Sequence, residues 1–350
     1  VLTESGIVFM SLLNVFMYHR VRPEAASDAV SVEMLRRQLR YLRNHYHVLT
    51  CGELINYLDG NFTSRRPCAA VTFDDGWYDN YLYATPVLRE CGVQGIVALS
   101  SGFIHDRIPR TDPQKDAAVP LDEACRNALY NDDRSAFLTG GEVRDMAASG
   151  VWCFQGHGTE HRRHFRSLQP HRACYPDCDD FSLPYALEGR EPYAGLPVGN
   201  LVSSLAWPRT SVPDAAFGGG GQGVFLLAQE NREQYRERVR KGLERNIHDI
   251  EHFTGRRPVL LFWPWGQYSQ DGLEIARELE FRYTFSVEKG YIRKGTDQLV
   301  LPRIGVSEKW SKFVRNSRVF RHPVGARVRS MITPTRPGLQ KINWGEGVDS

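Results

Sequence analysis

The chain has 350 residues, of which 41% are hydrophobic and 24% charged, the composition of an ordinary globular protein with room for one large α/β domain or two smaller ones. A formal net charge of +3 carries no overall signature of a nucleic-acid partner. Seven cysteines, an odd number without CxxC or zinc-knuckle spacing, suit free thiols in a reducing compartment better than a disulfide framework.

In chain order, the apolar stretch GIVFMSLLNVFMY (6–18) lacks a basic flank and a small-residue cleavage site and contains Asn14, so it is expected in a soluble domain rather than a signal segment. The short runs at 12–19, 68–73, 95–100, 151–155, 259–263, 283–287 and 299–306 are β-branched or apolar, several of them at every position. That is how strands covered on both faces read. Amphipathic helices alternate with them: Leu35, Leu39 and Leu42 share one face, and Tyr235, Val239, Leu243, Ile247 and Ile250 form a stripe that ends at Gly255 and Pro258. Strands alternating with helices predict a mostly parallel sheet, and about seven strands fit one distorted (β/α) barrel.

The stretch 166–228, with its prolines, aromatics and the run Gly218 to Gly221, interrupts this rhythm and is expected to be an inserted loop on one rim. Cys174 and Cys178 are read as loop residues within it. From Lys309 to Arg329 there are seven Lys/Arg and no acid, with aromatics interleaved. A solvated helix packing its aromatics on the barrel is one reading, and a surface that docks an anionic membrane or glycan is the other.

Two features carry chemistry. In VTFDDGWYDNY a buried strand ends in Asp74 and Asp75, where a parallel sheet places its catalytic groups. Neighbouring residues on an extended chain point in different directions, so one carboxylate can bind a metal while the other faces a water. The bland alternative is a turn whose aspartates satisfy backbone donors. In QGHGTEHRRHF, His157, His161 and His164 follow another buried run, and two imidazoles with one carboxylate make a three-ligand site with open positions. The bland alternative here is a solvated basic loop.

On these residues the chain resembles the polysaccharide deacetylases of the NodB-homology superfamily, carbohydrate esterase family 4. TFDDGW (72–77) is similar to the family's first motif, His157 and His161 to its second, and FWPWGQY (262–268) to its third. MYHRV (17–21) is similar to the circularly permuted subgroup that deacetylates poly-N-acetylglucosamine. The resemblance spans about 13–306 apart from the insertion. It implies a catalytic domain over 1–306 followed by a basic extension over 307–350. It further implies removal of N-acetyl groups from N-acetylhexosamine units of a glycan, with Asp74 as general base, His19 as general acid, and the backbone N–H of Trp265 at the oxyanion. Asp75, His157 and His161 would hold a divalent metal, zinc first, with cobalt or nickel as alternatives. Trp77, Trp263 and Trp265 are candidates to face sugar rings.

Three departures stand out, one being that no late HD-type motif occurs, which the permutation would explain. Gly158 replaces the usual Ser/Thr, leaving Thr159 to brace the loop, and the third motif lacks the Arg that orients the base, for which Arg303 is the candidate. The competing readings are an amidase of the same superfamily acting on a small non-sugar amide, an inactive glycan-binding homologue, and a non-haem iron oxygenase, which shares two His and a carboxylate but usually on a β-sandwich. The partner expected is an N-acetylated glycan, without nucleic acid, and the location cytoplasmic or peripheral to the inner membrane.

Overall fold

The computed structural model describes residues 12–106, 110–165, 201–209, 230–293, 299–321 and 338–344, with short pieces at 172–173, 197–198 and 325. Most of the expected insertion, including Cys174 and Cys178, and Arg329 in the basic segment lie outside the described residues.

Eight strands form one parallel sheet: β1 Leu13–Tyr18, β2 His47–Val48, β3 Cys68–Asp75, β4 Gly95–Leu99, β5 Trp152–Gly156, β6 Leu260–Phe262, β7 Tyr283–Phe285 and β8 Ile304–Gly305. Their order is β7-β6-β5-β4-β3-β1-β8, with the short β2 alongside β3. Leu301 exchanges backbone hydrogen bonds with Thr284 and Ser286 beside β7, and three residues later Ile304 pairs with Phe16 of β1. One segment thus meets both ends of the sheet and curls it into a barrel, as the alternation of strands and helices predicts.

The period-two alternation divides the strands between two cores. Leu13, Val15, Cys68, Ala70, Ile96, Ala98, Leu260, Phe262, Phe285 and Leu301 pack in one buried cluster drawn from nearly every strand, the barrel interior. Phe16, Val71, Phe73, Val97, Leu99 and Phe154 pack in the other, against the surrounding helices. In β3, Thr72 and Asp74 continue the interior row of Cys68 and Ala70, whereas Asp75 falls in the outward row. The two acids therefore diverge before any loop begins.

Helix Val32–His45 starts on a Ser31 cap and buries Leu35, Leu39 and Leu42. Helix Arg232–Thr254 starts on an Asn231–Gln234 capping box, buries the expected stripe, and stops where Gly255 adopts φ 67°. The basic segment forms helix Trp310–Phe320. Its Phe313 and Phe320 join the core that holds Phe16, and Arg315 and Arg318 are exposed. Among the described residues no helix is long and apolar enough to cross a membrane.

Candidate active site

The acids at the end of β3 are buried, 2% exposed for Asp74 and 5% for Asp75. Asp75 adopts φ 79° and Gly76 φ 91°, and a Cβ on Gly76 would stand 2.6 Å from Leu99 Cδ1. Only glycine fits there, and the sharp reversal aims the Asp75 carboxylate back over the barrel mouth. Among the described residues neither carboxylate takes a backbone N–H, so the turn reading of the motif is set aside. Asp75 Oδ2 instead accepts from the Trp77 indole at 2.9 Å. Trp77 is itself wedged against Phe137, with ring centroids 4.3 Å apart.

Asp74 is held by Arg303, whose two terminal nitrogens donate to Oδ1 and Oδ2 at 2.7 and 2.8 Å. The same guanidinium reaches Thr72 Oγ1 (3.3 Å) and the Ser286 carbonyl (3.0 Å) and lies 4.9 Å from the Phe262 ring centroid. This is a fork-to-fork pair inside the barrel, with Arg303 fully buried. Burial disfavours the charged Asp74, yet Arg303, with His157 and His19, holds its carboxyl below the usual carboxylate range.

A group depressed in this way stabilises the fold above the ordinary carboxylate pKa, and that contribution is lost as pH falls through the folded value. Arg303→Met, which strands a buried charge, is expected to destabilise the metal-free protein by about 3–5 kcal/mol at neutral pH. The deficit should shrink as Asp74 takes up a proton in acid. Urea unfolding at neutral and acidic pH measures this, and a deficit independent of pH would mean that Arg303 contributes packing alone.

His157 follows β5 by one residue and continues its interior row. Its Nδ1 lies 2.7 Å from the Phe262 carbonyl, which assigns the proton to Nδ1 and leaves Nε2 as an acceptor. That Nε2 is 3.3 Å from Asp75 Oδ1, and His161 Nε2 is 3.3 Å from the same oxygen. Neither Asp75 Oδ1 nor His157 Nε2 has a hydrogen-bond partner among the described residues. Three ligand atoms, one from each residue, lie within 4.8 Å of one another. A carboxylate oxygen and an imidazole nitrogen buried side by side without hydrogen-bond partners among the described residues suit a cation, so the donor set fits a divalent metal. Burial lowers the His161 pKa to about 4 against the pull of Asp75, which favours the neutral ligand form. His161, His157 and His19 hold Asp75 well below the usual carboxylate range although burial opposes this.

The loop carrying both histidines is braced where sequence reasoning gave only part of the answer. Gly158 takes φ 78°, a conformation that a Ser or Thr rarely adopts. Thr159 Oγ1 donates to the Gly242 carbonyl at 2.6 Å, and Asn246 Nδ2 donates to the carbonyls of Gly158 (2.8 Å) and Leu99 (2.9 Å). Gln155 Oε1 accepts from the backbone of Val259 and Leu260, both at 2.9 Å, tying β5 to β6 and so His157 to Phe262. His164 does not join the cluster. It is buried, with its Nδ1 3.3 Å from the Trp207 carbonyl.

His19, one residue beyond β1, is exposed and lines a cleft of about 860 Å³ together with Asp74, Asp75, His157, His161 and Trp265. Residues further along the DDG motif fix its backbone: Asn80 Nδ2 donates to the His19 carbonyl (3.0 Å), and Asp79 accepts from Arg20 Nε (2.7 Å) and Val21 N (3.2 Å). The spacing DDGxxDN is the signal from which these roles were readable. Trp265, at φ 59° in the turn Pro264–Gly266, lays its ring 4.8 Å from that of His161. Arg163 covers the Trp265 ring at 4.5 Å. Trp263, expected with Trp265 at the sugar, is fully buried with Leu205, Tyr235 and Leu273 and is a core residue.

No protein-family model matches the chain. Over 103 residues it is 29% identical to YxkH of Bacillus subtilis, provisionally named a polysaccharide deacetylase, and the match spans 29% of this chain and 37% of that protein. The fold matches a de-N-acetylase from Aggregatibacter actinomycetemcomitans with a TM-score of 0.60 at 17% identity, covering 87% of this chain and 100% of the other. It matches IcaB from Ammonifex degensii with a TM-score of 0.56 at 18% identity, covering 89% and 98%. It also matches the deacetylase domain of BpsB from Bordetella bronchiseptica with a TM-score of 0.56 at 17% identity, covering 85% and 96%. The chain therefore has the fold of the polysaccharide deacetylases, in the form these solved structures share.

Proposed function

We propose that the chain is a metal-dependent hydrolase that removes N-acetyl groups from N-acetylhexosamine units of a glycan. The observation that carries this reading is the Asp75 oxygen that has no hydrogen-bond partner among the described residues and stands 3.3 Å from two imidazole nitrogens, beside an Arg-locked Asp74. Two His and one carboxylate with open positions suit catalytic zinc. A divalent cation there supplies an acidified water and polarises the acetamide carbonyl.

The remaining work falls to the protein. Asp74, kept ionised by Arg303, accepts the proton of the attacking water. The Trp265 turn offers its backbone N–H to the developing oxyanion. His19, across the cleft, returns a proton to the departing amine, so that the amide C–N bond breaks to acetate and a free amino sugar. The walls of the cleft, including Trp265, leave room for a sugar rather than only a small amide, while Trp77, fully buried against Phe137, supports Asp75 from behind. Acetate release from chitotetraose, measured beside hydrolysis of small cyclic amides, separates the two substrates, and hydrolysis of the cyclic amides alone would overturn the glycan reading.

The base must be ionised, and Arg303 holds Asp74 below the usual carboxylate range, so the acid-side loss of activity is expected at lower pH than for an ordinary carboxylate. His19→Ala should lower kcat by about 10²–10⁴-fold. An unchanged rate would make His19 a structural residue.

A further inference from the structure

The proposed chemistry uses the cleft in which His19 stands beside Asp74, Asp75, His157 and His161. A second cavity, of about 530 Å³, adjoins the first, and His19, Arg20 and residues Ala26, Ser27 and Asp28 line both. Beyond His19 its walls carry Tyr18, Glu308, Lys309 and Lys312. The acids here are engaged within the protein: Asp28 faces Arg20 at 3.2 Å and Arg22 at 3.4 Å, and Glu308 accepts from the Ser31 backbone and hydroxyl at 2.8 and 2.9 Å. Neither Lys309 nor Lys312 has a carboxylate within ion-pair reach among the described residues. What this compartment offers a ligand is two ammonium groups, with its carboxylates already engaged.

We propose that this second compartment is a subsite for an anionic substituent of the glycan, a phosphate or a carboxylate, carried on the sugar next to the one whose acetamide enters the metal centre. The proposal rests on the deacetylase reading and adds the substrate class: an N-acetylated glycan bearing acidic groups. It also gives the first part of the basic C-terminal segment a role, because Lys309 and Lys312 line this second compartment while Phe313 and Phe320 anchor their helix in the core.

The test compares chitotetraose with its 6-O-phosphorylated and 6-O-carboxymethyl forms, on the metal-loaded protein and on a Lys309→Gln/Lys312→Gln double variant. Both lysines are at the surface, so the variant should fold and turn over neutral chitotetraose like the parent. Two solvent-accessible cation contacts predict a KM about 5–10-fold lower for at least one charged form. This preference should disappear in the double variant and weaken at high ionic strength. Which charged form gains identifies the anion as phosphate or carboxylate. Equal KM for all three oligosaccharides, or a preference that survives in the double variant, would overturn the proposal. Calorimetric binding of the same three compounds reads the subsite apart from turnover: anion-selective binding without acetate release would uphold the subsite and count against the deacetylase reading, and binding without selectivity would overturn the subsite alone.

Discussion

Asp74→Asn is expected to lower kcat/KM on an N-acetylated oligosaccharide by about 10²–10⁴-fold, the usual contribution of a positioned general base, while the protein keeps its metal. The substitution is nearly isosteric and spares the three proposed ligands. One amide oxygen remains to accept from Arg303, so the barrel interior keeps part of the bidentate contact that Thr72, Asp74 and Arg303 build. What is lost is the acceptor for a proton. Metal content measured beside acetate release separates this outcome from unfolding, and a variant that retains full rate would remove Asp74 from the chemistry.

The ligand variants should behave in the opposite way. Asp75→Ala, His157→Ala and His161→Ala each remove one of three protein donors. Mutations in outer-shell partners alone typically weaken metal binding by about 10–100-fold, so the loss here should be at least that large, with activity falling alongside. His157→Ala also frees the Phe262 carbonyl, and Asp75→Ala frees the Trp77 indole. Thermal unfolding of the metal-free forms should therefore accompany the metal measurement. Unchanged metal affinity in all three variants would contradict the assignment.

Much of this was legible in the residues because the signals are local. A strand buried on both faces announces itself by composition, and all eight residues of β3 are buried. The helix Arg232–Thr254 follows its stripe and stops at the glycine that marks its end. Asp74, Asp75, His157 and His161 could be nominated because each pair sits within five residues at the end of such a strand. Arg303 was only a candidate, since its partner is 229 residues away and no local pattern links them. Asn246 carries no local signal for the same reason: it reads as one more polar residue on a helix until the helix is laid against the histidine loop. Trp263 and Trp265 stand two apart in one motif, yet one is core and the other reaches the cleft. The left-handed turn at Trp265 decides this, and an aromatic at φ 59° is not something that composition foretells.

The most direct measurement is the stoichiometry of acetate and new primary amine produced from chitotetraose by the purified protein, before and after chelation and after return of zinc. Equal amounts of acetate and amine, abolished by the chelator and restored by the metal, are the predicted result. A protein that binds zinc in one-to-one ratio yet releases no acetate from this or any other N-acetylated oligosaccharide would contradict it.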